Sequence, residues 1–233
     1  MKKIIAICAM AILVLSCSSK KEGNMIVQGQ IKGLKKGTLY LQKMNDTVLV
    51  SVDSLKLLGD DKFSLTHNVE TPEMYYLTFD GNTTDKRILF FGEKGIITIN
   101  DNVDKFGISP EISGSKNQES LNEFQKISKR FNDQNLDLIK LSFNAQKSKN
   151  QDSLDLLDKK FKSLVRRRVL FATNFALNNK DKEVAPYIAL TELVNANIKL
   201  LDTINVSISP EVKASKYGKK LEKFVMEIKK SEK

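Results

Sequence analysis

The chain has 233 residues, 41% of them apolar, and a formal charge of +10, which is length enough for one large or two small domains. Its two cysteines, single histidine and lack of tryptophan leave little for redox or metal chemistry. Cys8 lies inside an apolar leader and Cys17 ends it, so no disulfide framework, C-x-x-C pair or cysteine metal cluster can be assembled from the remainder of the chain. The charge is uneven: residues 17–115 carry 12 Lys+Arg against 13 Asp+Glu, whereas residues 116–233 carry 24 against 15, so the basic excess belongs to the second half.

Lys2 and Lys3 precede an unbroken apolar run, residues 4–15, closed by Ser16 and Cys17. That order is an export signal, and the run is too short to span a bilayer, which takes about 20 apolar residues. Val14-Leu15-Ser16-Cys17 resembles the lipobox of bacterial lipoproteins. The resemblance implies a signal peptide over residues 1–16 and lipid on Cys17, which makes the membrane a partner. Residues 17–24, small and polar after the cysteine, are expected to act as a flexible tether. Ser18 and Ser19 followed by two lysines, without an acidic cluster, point to the cell envelope, on the periplasmic face of the outer membrane. Export argues against nucleic acid as a partner and leaves, for the basic half, either solvated helix faces or contact with anionic lipid, acidic glycans or an acidic protein.

From Met25 to about Ser115 the apolar period is two. Residues 26–31 and 38–42 flank a loop between Gly33 and Gly37, which reads as a hairpin. Residues 48–58 alternate, with Val48, Val50 and Val52 set against Leu49, Ser51 and Asp53, and Gly59-Asp60-Asp61 turns them into Lys62-Phe63-Ser64-Leu65. Residues 74–79 and 87–91 enclose a turn-rich segment, residues 80–85, and Gly92-Glu93-Lys94-Gly95 leads to Ile96-Ile97-Thr98-Ile99. About eight short strands at this spacing predict an antiparallel sandwich or barrel over residues 25–115.

Asp53-Ser54, Lys62-Phe63-Ser64-Leu65, Tyr75-Tyr76-Leu77, the run from Phe91 to Ile99 and Ser113-Gly114-Ser115-Lys116-Asn117 together resemble the N-terminal β-domain of unknown function found in lipoproteins related to thiol:disulfide interchange proteins. In that family a thioredoxin-like domain with C-x-x-C comes after a helical segment. The resemblance covers about residues 25–117, and more loosely the helices to about residue 230. It implies a connection to thioredoxin-like proteins, but no redox residue of that domain is present to carry over. Asp61 stands where the family usually has a turn glycine; Asp tolerates left-handed backbone, so the turn is expected to survive.

At Ser115 the period changes to 3.6, and residues 116–233 are expected to form a helical domain. Ser115-x-x-Gln118 is a capping-box candidate. Phe124, Ile127, Phe131, Leu138 and Leu141 then fall on one face to about Lys147. A second helix, with Leu154, Leu157, Phe161, Leu164, Phe171 and Phe175 in steps of three and four and a gap at Arg168, packs back antiparallel. A third helix is expected over residues 183–200 with Pro186 in its first turn, a short one opened by Ser209-Pro210, and a last one over residues 216–230. The fold class is therefore α+β, a β-sandwich-like domain followed by a helical bundle.

Lys159, Lys162, Arg166, Arg167 and Arg168 are the candidates for contact with an anionic surface, although consecutive helical residues point about 100° apart and make no single clamp. Asp60-Asp61 and Asp152, Asp155 and Asp158 are the carboxylate groupings, and each reads as turn or salt-bridged surface before it reads as a cation site. His67 reads as an ordinary strand residue. Phosphate loops, zinc motifs and nucleophile elbows do not occur, so no catalytic residue, metal site or cofactor is expected. The expected function is that of a non-catalytic, lipid-anchored binding or scaffolding module. The alternatives are an accessory or docking partner of a separate thioredoxin-like oxidoreductase, or a carboxylate-dependent hydrolase with its acids in a cleft between the domains.

Overall fold

The computed structural model describes residues 23–80 and 87–231. The expected signal peptide, Cys17, most of the expected tether and most of the turn at 80–85 lie outside the described residues. The chain is α+β. Among the described residues eight strands, β1 (Met25–Lys32), β2 (Lys36–Asn45), β3 (Val48–Leu58), β4 (Lys62–His67), β5 (Glu73–Phe79), β6 (Arg87–Gly92), β7 (Gly95–Asn102) and β8 (Glu111–Ser113), precede six helices: α1 (Lys116–Lys147), α2 (Gln151–Asn178), α3 (Val184–Glu192), α4 (Ile198–Ser207), α5 (Pro210–Ala214) and α6 (Lys216–Ser231).

The strands form two four-stranded sheets, in the orders β4-β1-β7-β8 and β3-β2-β5-β6, whose facing sides share one apolar core that includes Val27, Leu41, Leu65, Leu77, Phe90 and Ile99. The strand pairing departs from expectation in two ways. The segments flanking Gly33 and Gly37 are not a hairpin, because β1 pairs with β4 and β7 while β2 pairs with β3 and β5. The loop between them carries Leu34, which is 3% exposed and inserts into the core, so apolar burial draws the chain across from one sheet to the other. The first sheet is also mixed, since β1 runs parallel to β7 with Met25 opposite Gly95 and Lys32 opposite Asn102.

The hairpin is β2–β3, closed by Asp46-Thr47 with Asp46 in the left-handed region at φ 52°. Alternation along β3 breaks where Leu41 pairs with Asp53 but Gln42 pairs with Ser51, so Val52 is the extra residue of a bulge. Past it, Asp53 and Leu57 are buried. Asp53 Oδ2 accepts the Thr66 N–H (2.9 Å) and Oδ1 the Ser54 N–H (2.8 Å), which stitches an edge of one sheet to an edge of the other. In the next turn the left-handed residue is Gly59, at φ 103°, and not Asp61. Asp61 instead accepts hydrogen bonds from Gln30 Nε2 (2.9 Å) and Gly33 N (3.2 Å), and these hold its carboxyl below the usual range.

The helical expectations hold with adjustments. Ser115 caps α1 by accepting the Gln118 N–H at 3.0 Å. Phe124 stacks on Phe171 with centroids 5.2 Å apart, and α2 packs back antiparallel on α1. Ile127 and Leu141, expected in the seam, are 38% and 51% exposed; the buried row runs instead through Leu121, Phe124, Ser128 and Ala145. Arg168 occupies the gap in the apolar row of α2 and bonds Glu192 at the end of α3 (2.9 Å). The helix expected over 183–200 is two, because Asn197 Oδ1 accepts the Lys199 N–H (2.9 Å) and starts α4 afresh. Ser209 and Pro210 open α5 as expected.

Gly29 of β1 lies opposite Phe63 of β4 and Ile99 of β7. A Cβ there would overlap the Ile99 carbonyl, so only glycine permits this close backbone approach. Gly29→Ala is expected to destabilise the fold by roughly 2 to 4 kcal/mol in a denaturant or thermal melt; a wild-type midpoint would mean that the two strands can part without loss.

Candidate functional site

The helices do not trail from the β-domain; they are seated on it. Met74 of β5 and Phe91 of β6 belong to the apolar cluster of the helices and not to the core between the sheets. Phe91 is fully buried, with Tyr187 of α3 and Tyr217 of α6 edge-on to its ring at 5.3 and 6.1 Å. Its N–H donates to Gln118 Oε1 (2.8 Å), so the glutamine of the expected capping box serves the strand instead of its own helix cap. Tyr217 Oη accepts the Met74 N–H at 3.1 Å.

An ion cluster closes one side of this seat. Glu73, 5% exposed, is met by Lys43 of β2 at 2.8 Å and by Lys216 at the start of α6. Lys216 Nζ also donates to the Met44 carbonyl (2.9 Å). A carboxylate this deep needs such partners, because its desolvation is otherwise uncompensated.

On the other side a cleft of about 500 Å³ opens between the domains, lined by the β4–β5 loop, the β6–β7 turn, the start of α1, the α2–α3 turn and Glu211 of α5. Glu93 Oε1 accepts the Lys116 N–H (2.6 Å), in the first turn of α1, where the helix dipole favours an anion. Asn117 Nδ2 donates to Glu93 Oε2 (2.8 Å) and to Glu183 Oε2 (3.1 Å), while its Oδ1 accepts the Val184 N–H (2.8 Å) at the start of α3. One amide thus joins two carboxylates and two helix starts. Burial pushes the Glu183 carboxyl above the ordinary range, against the hydrogen bonds it accepts from its own backbone and Asn117, and nearby Glu93 and Glu211 add to the rise. Chemically the cleft offers acids, lysines and a polar floor to a ligand. Among the described residues no group of three or more His, Cys, Asp or Glu is placed to hold a metal ion.

The basic and acidic residues singled out in the sequence do not line this cleft. Cys17 is outside the described residues. Lys162 pairs with Asp158 on its own helix at 2.7 Å, Arg167 donates to Gln134 of α1 (3.2 Å), and Arg168 turns into the bundle toward Glu192 and Asn132. Lys159 and Arg166 are exposed, so the five do not share one face. Asp60 accepts the Lys62 N–H (3.1 Å) and Asp155 the Gln151 side chain (2.9 Å), both local roles. His67 is half-buried, edge-on to Tyr75 at 5.9 Å, and burial, with Lys43 adding to it, favours its neutral form. Glu73, Glu93, Asn117 and Glu183 escaped the sequence reading as a group, although Glu93 and Asn117 fall in two of the segments that carry the family resemblance.

A two-sheet β-domain capped by a helical bundle, joined through an apolar seat with a polar cleft beside it, is the class this geometry defines. Residues 25–121 match the family model of a domain of unknown function (DUF4369), as the resemblance implied. The matched stretch runs past β8 to Leu121, and so includes the turns of α1 that carry Asn117 and Gln118. No curated protein matches the chain.

An acid whose folded-state pKa is raised holds its proton better folded than unfolded. Glu183 therefore favours the fold at and below the ordinary carboxylate range, and that contribution disappears as pH rises through its raised value. Glu183→Gln, which keeps an acceptor for Asn117, is expected to remove this decline and to leave stability at pH 7 equal to or above wild type. Superimposable pH–melting profiles of the two proteins would contradict the assignment.

Proposed function

We propose that this protein is a non-catalytic lipoprotein of the cell envelope, held to a membrane by lipid on Cys17, that works as a binding or scaffolding module without a cofactor. The observation that carries the reading is the leader, Lys2-Lys3, twelve apolar residues and Leu15-Ser16-Cys17. No helix among the described residues is long and apolar enough to cross a membrane, and the reading assigns attachment to the lipid. Tethering is then the mechanism, since confinement beside a partner raises its effective concentration. The interlocked seat at Phe91, Glu73 and Asn117 supports a body that presents its surfaces in a fixed relation, and the junction cleft is the natural place for a ligand or a partner's segment.

Binding is favoured over carboxylate-dependent hydrolysis because, of the five acids that line the cleft, the two joined through Asn117 are already engaged. Glu93 holds the start of α1, and Glu183 shares the Asn117 amide. A general acid and base must exchange protons with substrate, and these carboxylates brace backbone. The second reading, an accessory of a separately encoded thioredoxin-like oxidoreductase, draws on the match of residues 25–121 and on the resemblance to lipoproteins that carry such a domain.

Cys17→Ala is expected to move the protein from the membrane to the soluble fraction, because stable attachment takes more than one signal and the basic helices alone do not supply it. Intact mass of the native membrane form should show acyl chains on Cys17. An unmodified thiol, or a variant that still sediments with membranes in moderate salt, would overturn the lipoprotein reading. Crosslinking of the native form separates the two readings: recovery of a thioredoxin-like protein supports the accessory role.

A further inference from the structure

Between residues 132 and 167 the two long helices contribute nothing to either apolar core. The buried residues there are Ala145, Leu157 and Leu164, while Leu141 and Leu156 are 51% and 54% exposed. Two grooves, of about 280 and 300 Å³, run along one side of this outer hairpin. Their lining positions step by three and four along both helices, through 134, 137, 141, 144 and 148 on α1 and 153, 156, 160, 163 and 167 on α2. The two grooves are therefore one face, with the heptad rhythm by which a hairpin accepts further helices.

The charges on this face identify what fits it. The α1 row carries Asp137 near its inner end and Leu141 at its middle. The α2 row carries Lys160 and, two turns farther in beside Gln134, Arg167, both lining the groove with Asp137, and Leu156 in the outer groove. Lys160 makes no ion pair among the described residues. Asp137 has only Lys140 of its own helix, at 4.0 Å. We propose that this face is the interface between two copies of the chain, paired about a two-fold axis parallel to the hairpin into a four-helix bundle. That axis sets the α1 of one copy antiparallel to the α2 of the other at the same level. Asp137 then meets Lys160 and Arg167 of the second copy, Leu141 meets Leu156, and each contact occurs twice. The other two-fold, perpendicular to the helices, would bring Lys160 against Lys160 and leave Asp137 opposite Asn144.

Fifteen-residue rows are about 22 Å long, and a slab two helices wide offers roughly 450 Å² per copy, or about 900 Å² in total. That is near the lower bound of about 1,000 Å² for a specific interface, so the pairing is reversible and depends on concentration. Leu136, Ile139 and Phe143, also exposed, line neither groove and are not part of the interface.

The test is sedimentation equilibrium of the full chain in detergent, with Asp137→Lys and Lys160→Asp studied singly and mixed, and circular dichroism melts to verify folding. Wild type is expected to show a monomer–dimer equilibrium. Each variant alone sets like charges against each other twice and should weaken pairing by about tenfold or more. The equimolar mixture restores both opposite-charge contacts only between unlike chains, so heterodimers should return to near wild-type affinity. A wild type that is monomeric at all accessible concentrations overturns the proposal, as does a mixture no better than its components. Monomers that instead bind anionic vesicles through Lys160 would assign the face to lipid.

Discussion

A backbone N–H on a sheet edge is harmless in water and costly under protein, where losing its partner is worth about 1 to 3 kcal/mol. β6 is such an edge, and the N–H of Phe91 is buried beneath the helices. Gln118 Oε1 meets it at 2.8 Å, and that bond fixes where α1 can start. The ring of Phe91 does the same for the far end of the chain, since Tyr187 and Tyr217 close on it from α3 and α6. One residue therefore sets the position of the first, third and last long helical elements relative to the sheets.

Once α1 is placed, the polar groups around its start have little choice. The first turn needs acceptors for its N–H groups, and Glu93 arrives from the β6–β7 turn because Phe91 has anchored that strand two residues earlier. Asn117 then faces both Glu93 and the start of α3, and its single amide can satisfy all three neighbours only if Glu183 accepts the remaining proton. The buried charge of Glu73 between Lys43 and Lys216 locks α6 from the opposite side. The cleft is what remains between these two sets of bonds, and Glu93 and Glu183 serve there as braces.

Much of this was legible in the sequence, and the parts that were not share a cause. Period-two and period-3.6 apolar patterns report which face of an element is buried, and they placed the strands, the break at Ser115 and the Phe–Leu seam of α2. They say nothing about which strand lies beside which, so Leu34, an apolar residue in a loop, concealed the crossing between sheets, and the parallel pairing of β1 with β7 spans some 70 residues of chain. The bulge at Val52 and the break before Asn197 are local choices in which pairing geometry and a side-chain cap outweigh periodicity. The cleft was invisible for the same reason: Glu93, Asn117 and Glu183 are ordinary polar residues whose roles exist only after the sheets and helices are joined. What could be read was that Phe91 to Ile99 and Ser113 to Asn117 belonged to one recognisable pattern, and the structure brings these two segments together.

The hairpin of α1 and α2 changes character along its length, and the change reflects what each half can bury. At the root the rings of Phe124, Phe171 and Phe175 cluster, with centroids 5.2 to 6.0 Å apart, and α3 and α4 pack against the hairpin. Farther out each helix has only the other, and two helices side by side cover a single strip of one another. Apolar residues outside that strip must then face water, as Leu141 and Leu156 do. A free-standing pair of this kind lies at the low end of local stability in a domain, so any partner that covers its open side stabilises the hairpin as well as binding to it.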